Sequence, residues 1–223
     1  TIRNGKIIAN EFQDGTKAVF AAEKDARVEL ENVEMTTTGA ALFPAGNAAA
    51  VTVTNSTISA GTYVVGTNAS TNGDDSLVYS MNVKITLTNS TLTANSWKKN
   101  ANDRDTCAVM INVPGELLVD NCTINSGRQT VVVRGGDAKI VNSKINLIEP
   151  YTGSDANNYN DANWSEGNNL PIAALLAGNR TTANGAYKYP ANCVVENSTI
   201  SAPEGYKAVY AYGMESTETI DRS

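Results

Sequence analysis

The sequence predicts an all-β fold: one right-handed parallel β-helix of about seven coils, each about 22 residues long. Three observations predict it: a degenerate internal repeat, a composition poor in helix formers, and an Asn-centred turn recurring at one place in each repeat.

The repeat is the strongest of these. Five segments align: VTVTNSTISA from Val51, ITLTNSTLTA from Ile85, LLVDNCTINS from Leu117, KIVNSKINL from Lys139 and CVVENSTISA from Cys193. A weaker sixth, VELENVEMTT, begins at Val28. Each is an alternating apolar strand, then Asn, a small residue, one further position and an aliphatic residue. The anchoring residues Asn32, Asn55, Asn89, Asn121, Asn142 and Asn197 are separated by 23, 34, 32, 21 and 55 residues. The two shortest spacings set the period, and the longer ones are that period plus insertions, which a solenoid tolerates because a loop can grow on one coil without breaking the stack.

A second apolar run accompanies each motif: AVFAAE at Ala18, AALFPAG at Ala40, TYVVGTN at Thr62, CAVMINV at Cys107, TVVVRGG at Thr130, PIAALLAGN at Pro171 and AVYAYG at Ala208. Each period therefore holds two or three short strands and no amphipathic helix, which argues against leucine-rich, ankyrin and βαβ repeats. Equivalent strands must pair in parallel one coil apart, and right-handed crossover is the strong default. Abundant Val and Thr suit pleated strands, and Asn and Gly suit tight turns.

The Asn has a physical role. Asn tolerates the left-handed conformation that a sharp corner needs, and stacked side chains about 4.8 Å apart can bond one another as an asparagine ladder. The expectation is an inward-facing ladder, with Asn4 as a further member. Beside it should run a small-residue stack (Ser56, Ser90, Cys122, Ser143, Ser198) and an aliphatic stack (Met35, Ile58, Leu92, Ile124, Ile145, Ile200). Sequons occur at Asn55, Asn68, Asn89, Asn121, Asn163, Asn179 and Asn197; the ladder turn accounts for four of them, which inward orientation would hide from glycosylation.

On the VxVxNSxI turn the chain resembles the pectate lyase-like right-handed parallel β-helix superfamily, over about residues 17–213 with interruptions. The resemblance implies the fold more than a function, because that superfamily holds pectin and pectate lyases, polygalacturonases, phage tailspikes and surface or adhesin-like proteins. In the lyases, carboxylates hold calcium against a uronate and an Arg or Lys removes the proton α to its carboxylate. By that resemblance Arg134, after the strand in VVVRGG, and Asp137 are the catalytic candidates, and Asp74, Asp75, Asp103 and Asp105 the calcium candidates. The acidic pairs lie in insertions rather than strands, where loop aspartates seldom prearrange the six to eight oxygens that calcium takes. A polygalacturonase-like member would need paired Asp residues near a Gly-His-Gly segment. This chain has no histidine, which also removes Ser-His and Cys-His pairs and any imidazole base.

The remaining composition narrows the partners. Net charge is −6 with no basic stripe, so nucleic acid is not an expected partner. No apolar run reaches the ~20 residues of a membrane span. Cys107, Cys122 and Cys193 have neither CxxC spacing nor even number, and read as small buried hydrophobes. Beginning at Thr1, the sequence reads as a processed or excised segment of a secreted or cell-surface protein.

Three insertions, about 66–81, 95–106 and 151–170, interrupt the single domain spanning 1–223. The longest carries Tyr151, Tyr159 and Trp164, aromatic groups suited to stacking on sugar faces or anchoring a protein. The expected function is an extracellular or cell-surface module, binding or structural and adhesin-like, with a polysaccharide or surface protein as partner and no cofactor required. The alternative is a polysaccharide lyase or hydrolase acting on acidic glycans, the lyase ahead of the hydrolase and calcium its expected ion.

Overall fold

A computed structural model describes residues 1–10, 17–67, 81–95, 107–150, 172–178, 180–181, 188–189, 191–212 and 217–221. These residues form strands and turns, with no helix among them.

The strands follow the repeat. The first repeat holds β1 (Ile2–Ala9) and β2 (Lys17–Ala21), and the second β3 (Arg27–Thr37) and β4 (Ala40–Pro44). The third holds β5 (Ala50–Thr54), β6 (Thr57–Ala60) and β7 (Val65–Gly66); the fourth, β8 (Val83–Thr88), β9 (Thr91–Ala94) and β10 (Cys107–Ile111). The fifth has β11 (Gly115–Asp120), β12 (Thr123–Ser126) and β13 (Gln129–Val133); the sixth, β14 (Gly136–Val141), β15 (Lys144–Leu147) and β16 (Ala173–Gly178). A short antiparallel pair follows, β17 (Arg180–Thr181) with β18 (Lys188–Tyr189). The seventh repeat is β19 (Ala191–Glu196), β20 (Thr199–Ser201) and β21 (Lys207–Tyr212), and β22 (Thr217–Asp221) pairs onto β19.

Apart from β17–β18, the strands assemble into two parallel sheets. The seven-stranded sheet runs β2-β4-β7-β10-β13-β16-β21, one strand from each repeat. The thirteen-stranded sheet is two ladders joined at β3: its first half pairs β5 and leads through β8, β11, β14 and β19, while its second half pairs β6 and leads through β9, β12, β15 and β20. Asn32, at φ 53°, bends β3 between those halves. Asn4, Asn55, Asn89, Asn121, Asn142 and Asn197 take the same corner at φ 49–53°.

The inward orientation expected of these Asn side chains is overturned, since all of the six anchoring residues are exposed. A left-handed residue turns the chain without consuming one step of in–out alternation. The residue before Asn and Asn itself both face out, and the following residue faces in. Two amide pairs still bond on the outside, Asn32 Nδ2 donating to Asn4 Oδ1 at 2.9 Å and Asn121 Nδ2 to Asn89 Oδ1 at 2.8 Å. Asn142 Nδ2 instead donates to Asp120 Oδ1 at 2.9 Å. Exposure also removes the reason for which the sequons at Asn55, Asn89, Asn121 and Asn197 were set aside.

The inner row is built from the small residues. Ser56, Ser90, Cys122 and Ser143 are buried. Each hydroxyl donates to the carbonyl two residues earlier: Ser56 to Thr54 at 2.8 Å, Ser90 to Thr88 at 2.8 Å, Ser143 to Val141 at 2.6 Å and Ser198 to Glu196 at 2.8 Å. Each also accepts a backbone N–H from the neighbouring repeat, from Val33, Ser56, Cys122 and Ser143 in turn, at 3.0 Å. Cys122 fills the same place, its Sγ donating to the Asp120 carbonyl at 3.3 Å. The row thus satisfies buried N–H groups that the corner takes out of the strand ladder.

Deeper in, Met35, Ile58, Leu92, Ile124 and Ile145 stack in register and are buried, with Ile200 half-buried at the end. Each contributes roughly 1.5–3 kcal/mol by the usual burial scale. Where the chain passes from the seven-stranded sheet into the other, successive turns nearly touch. A Cβ on Gly115 would lie 2.1 Å from the Val83 carbonyl oxygen, and one on Gly136 (φ 74°) 2.4 Å from that of Gly115. All three cysteines are free thiols and buried.

Candidate functional site

Chain connectivity puts the insertions at the two corners flanking one sheet, each linking it to the other sheet. The 66–81 insertion leaves β7, 95–106 leads into β10, and 151–170 leads toward β16. All three strands belong to the seven-stranded sheet. The thirteen-stranded sheet's corner from one arm to the other is a turn of two residues, Asn and Ser or Cys, in most repeats.

The central strands of the seven-stranded sheet are buried on both faces. In β13, Val131 and Val133 join the main core, whereas Val132 joins a second cluster with Cys107, Ala173 and Leu176, packed by Tyr63, Met110 and Tyr210. Val132 is 2% exposed and Leu176 0%. Toward the first repeat the same outer row opens: Phe20 is 55% exposed, with its ring centroid 6.1 Å from that of Phe43. Lys17 Nζ lies 5.6 Å and 4.8 Å from the two rings, and Lys207 Nζ lies 6.0 Å from the Tyr210 ring, in cation–π range.

Polar side chains are buried at the ends of these strands. Arg128 and Arg134 bracket β13 at 4% and 2% exposure, and Gln129, Asn112 and Thr67 are buried as well. Thr67 Oγ1 accepts the Asn112 N–H at 2.8 Å. Taking a guanidinium out of water costs several kcal/mol unless it is paired, and both arginines have partners.

The candidates named from sequence fall in different places. Arg134 is buried behind the end of β13, its N–H bonded to the Ile111 carbonyl at 2.8 Å. Asp137 lies exposed on β14, past the Gly136 turn, where it lines a hollow of about 570 Å³ on the outside of the thirteen-stranded sheet. Arg134 does not line that hollow. Asp74, Asp75, Asp103, Asp105, Tyr151, Tyr159 and Trp164 lie outside the described residues. Among the described residues no three His, Cys, Asp or Glu side chains gather as a metal site. No helix among them is long and apolar enough to cross a membrane.

Sequence reasoning missed the second buried face and the buried arginines. A signal was present: TVVV and AALLA are continuous apolar runs, the pattern of strands covered on both sides. Burial pushes the Cys122 thiol up, against bonds to Ser90 and Asp120 that pull the other way.

No protein family, curated protein or solved structure matches the chain. The functional reading rests on the residues.

Proposed function

We propose that the chain is a right-handed parallel β-helix of the pectate lyase-like kind, acting as an extracellular or cell-surface, adhesin-like binding module. Its working side is that of the seven-stranded sheet, and its ligand is a polysaccharide or a surface protein. The observation that carries this reading is connectivity: all three insertions lie at the corners that flank the seven-stranded sheet, each linking one of its strands to the thirteen-stranded sheet, while the Asn corner within the latter is turned in two residues. Long insertions in an otherwise regular repeat are where recognition concentrates. The exposed Asn row belongs to the corner and would serve as an external asparagine ladder.

The lyase alternative gains no support from Arg134, whose burial at 2% keeps it from a polymer in solution. The test replaces residues 151–170 with a short Gly-Ser linker and compares both proteins on immobilised polysaccharides and cell surfaces. Loss of binding by a variant that keeps its β-sheet circular dichroism is expected. Undiminished binding, or unsaturated products from pectate with calcium that vanish in Arg134→Ala, overturns the reading.

A further inference from the structure

We infer that the outer face of the thirteen-stranded sheet carries a separate binding furrow for neutral oligosaccharides, formed where four consecutive repeats come into register. Lys84, Glu116, Asp137 and Asn192 are direct Cα partners across β8, β11, β14 and β19. They span three rung spacings, about 14 Å. All four line the hollow of about 570 Å³, and all four also line an adjoining one of about 340 Å³. The two are one furrow crossing the strands.

Small residues stand at one end of the hollow. Gly115, Gly136 and Ala191 stand at the strand starts, where the stacked backbones leave no room for a Cβ on either glycine. The close backbones at these positions form the end of the hollow beside the polar row.

The lining is amphipathic in two parallel rows. Beside the polar row, Leu118 and Val194 stand one alternation further along β11 and β19. Leu118 is 36% exposed, one of few large apolar side chains on the described surface. Leu118 and Val194, either side of Lys139 in the row Thr86, Leu118, Lys139, Val194, set apolar surface beside carboxylate, amide and ammonium groups, which matches a sugar with its C–H face and its edge of hydroxyls that both donate and accept.

Charge selects the class of glycan. Lys84 Nζ pairs with Glu116 at 3.1 Å, and Lys139 Nζ pairs with Glu196 at 3.0 Å. Of the charged side chains lining the furrow, Lys84 and Lys139 balance Glu116 and Asp137, so it carries no net charge. A lining without net charge draws neither uronates nor amino sugars, and its carboxylates accept hydroxyl donors. Every strand in the furrow is paired on both sides, so strand addition by a peptide has no edge to use.

The furrow begins where the 66–81 insertion enters β8, while residues 151–170 lie between β15 and β16 at the other corner, so the two readings fail separately. The experiment probes an array of neutral, amino-sugar and uronate oligosaccharides with the whole chain and with Asp137→Ala, Asn192→Ala and Leu118→Glu. These three residues are exposed or lie at the edge of exposure, and a Thr52→Ala control sits on the same face outside the furrow. Binding to neutral oligosaccharides is expected, weakened about tenfold or more by Asp137→Ala, the loss of one charge-assisted bond, measurably weakened by Asn192→Ala and Leu118→Glu, and unchanged in the control. Absence of neutral-glycan binding, preference for uronates, or equal affinity in all variants overturns the inference. Neutral binding that is lost on replacing residues 151–170 but kept in the furrow variants overturns it while leaving the proposed function standing.

Discussion

Ser90→Ala tests the inner hydroxyl row in isolation. Ser90 Oγ accepts the Ser56 N–H at 3.0 Å and donates to the Thr88 carbonyl at 2.8 Å. The carbonyl keeps another partner, the Asn55 N–H at 3.1 Å. The Ser56 N–H is bonded to that hydroxyl in a buried place, and a buried donor left without a partner costs about 1–3 kcal/mol. With the smaller loss at the carbonyl, the substitution should cost about 2 kcal/mol. Thr91→Ala one residue on, at an exposed position, should stay within about 0.5 kcal/mol. Urea denaturation read by far-ultraviolet circular dichroism gives both values, and hydrogen exchange reads the Ser56 amide directly. A cost below about 0.5 kcal/mol for Ser90→Ala, with Ser56 exchanging as slowly as before, would refute the role given to the row.

Other substitutions separate conformational from packing terms. Asn89→Ala keeps a β-carbon at φ 52° but loses the polar side chain that makes this conformation tolerable and accepts a bond from Asn121 Nδ2, and should cost about 1–2 kcal/mol in a denaturation midpoint, with Asn89→Gly restoring most of it. Gly115→Ala should cost about 3 kcal/mol, because the Val83 backbone must move. Gly205→Ala, at φ 83° with open space around it, should cost only the left-handed penalty of about 1–2 kcal/mol; equal costs at the two glycines would count against the tight turn stack. The Cys122 thiol titrates above its ordinary 9.0 in the folded chain. Its stability contribution is therefore complete below pH 9.0 and is lost as pH rises through the folded value. Cys122→Ser should accordingly gain on the native chain above that pH, and a stability difference constant with pH would contradict this.

The repeats were legible because each carries its own corner residue and its own aliphatic residue at fixed offsets, a local signal. Which way the Asn faced was not legible. Alternation alone gives no parity across a left-handed residue, so nothing local corrected the expectation that put Asn inside, where the Ser hydroxyls are bonded instead. The second buried face was readable in TVVV, but nothing local marks Arg128 and Arg134 as buried, since arginines beside a strand are ordinary surface residues. The furrow was the least legible feature. Lys84, Glu116, Asp137 and Asn192 are unremarkable alone and lie up to 55 residues from their ladder neighbours; only register makes them one row. Asp137 was named from sequence for catalysis, and the structure gives it different neighbours from Arg134.

Everything assigned here depends on parallel register between repeats, and paired spin labels measure it directly. Glu34, Thr57, Thr91, Thr123, Lys144 and Thr199 are successive Cα partners, and Glu34, Lys144 and Thr199 are exposed. The buried native thiols leave engineered cysteines to take the label. Labels at 34 and 144 should lie four rungs apart, about 19 Å, and labels at 34 and 199 five rungs apart, about 24 Å. The account predicts that 55 further residues of chain add about one rung, near 5 Å, to the distance read by double electron–electron resonance. An increase of several rungs, or no resolved distance for either pair, would contradict it.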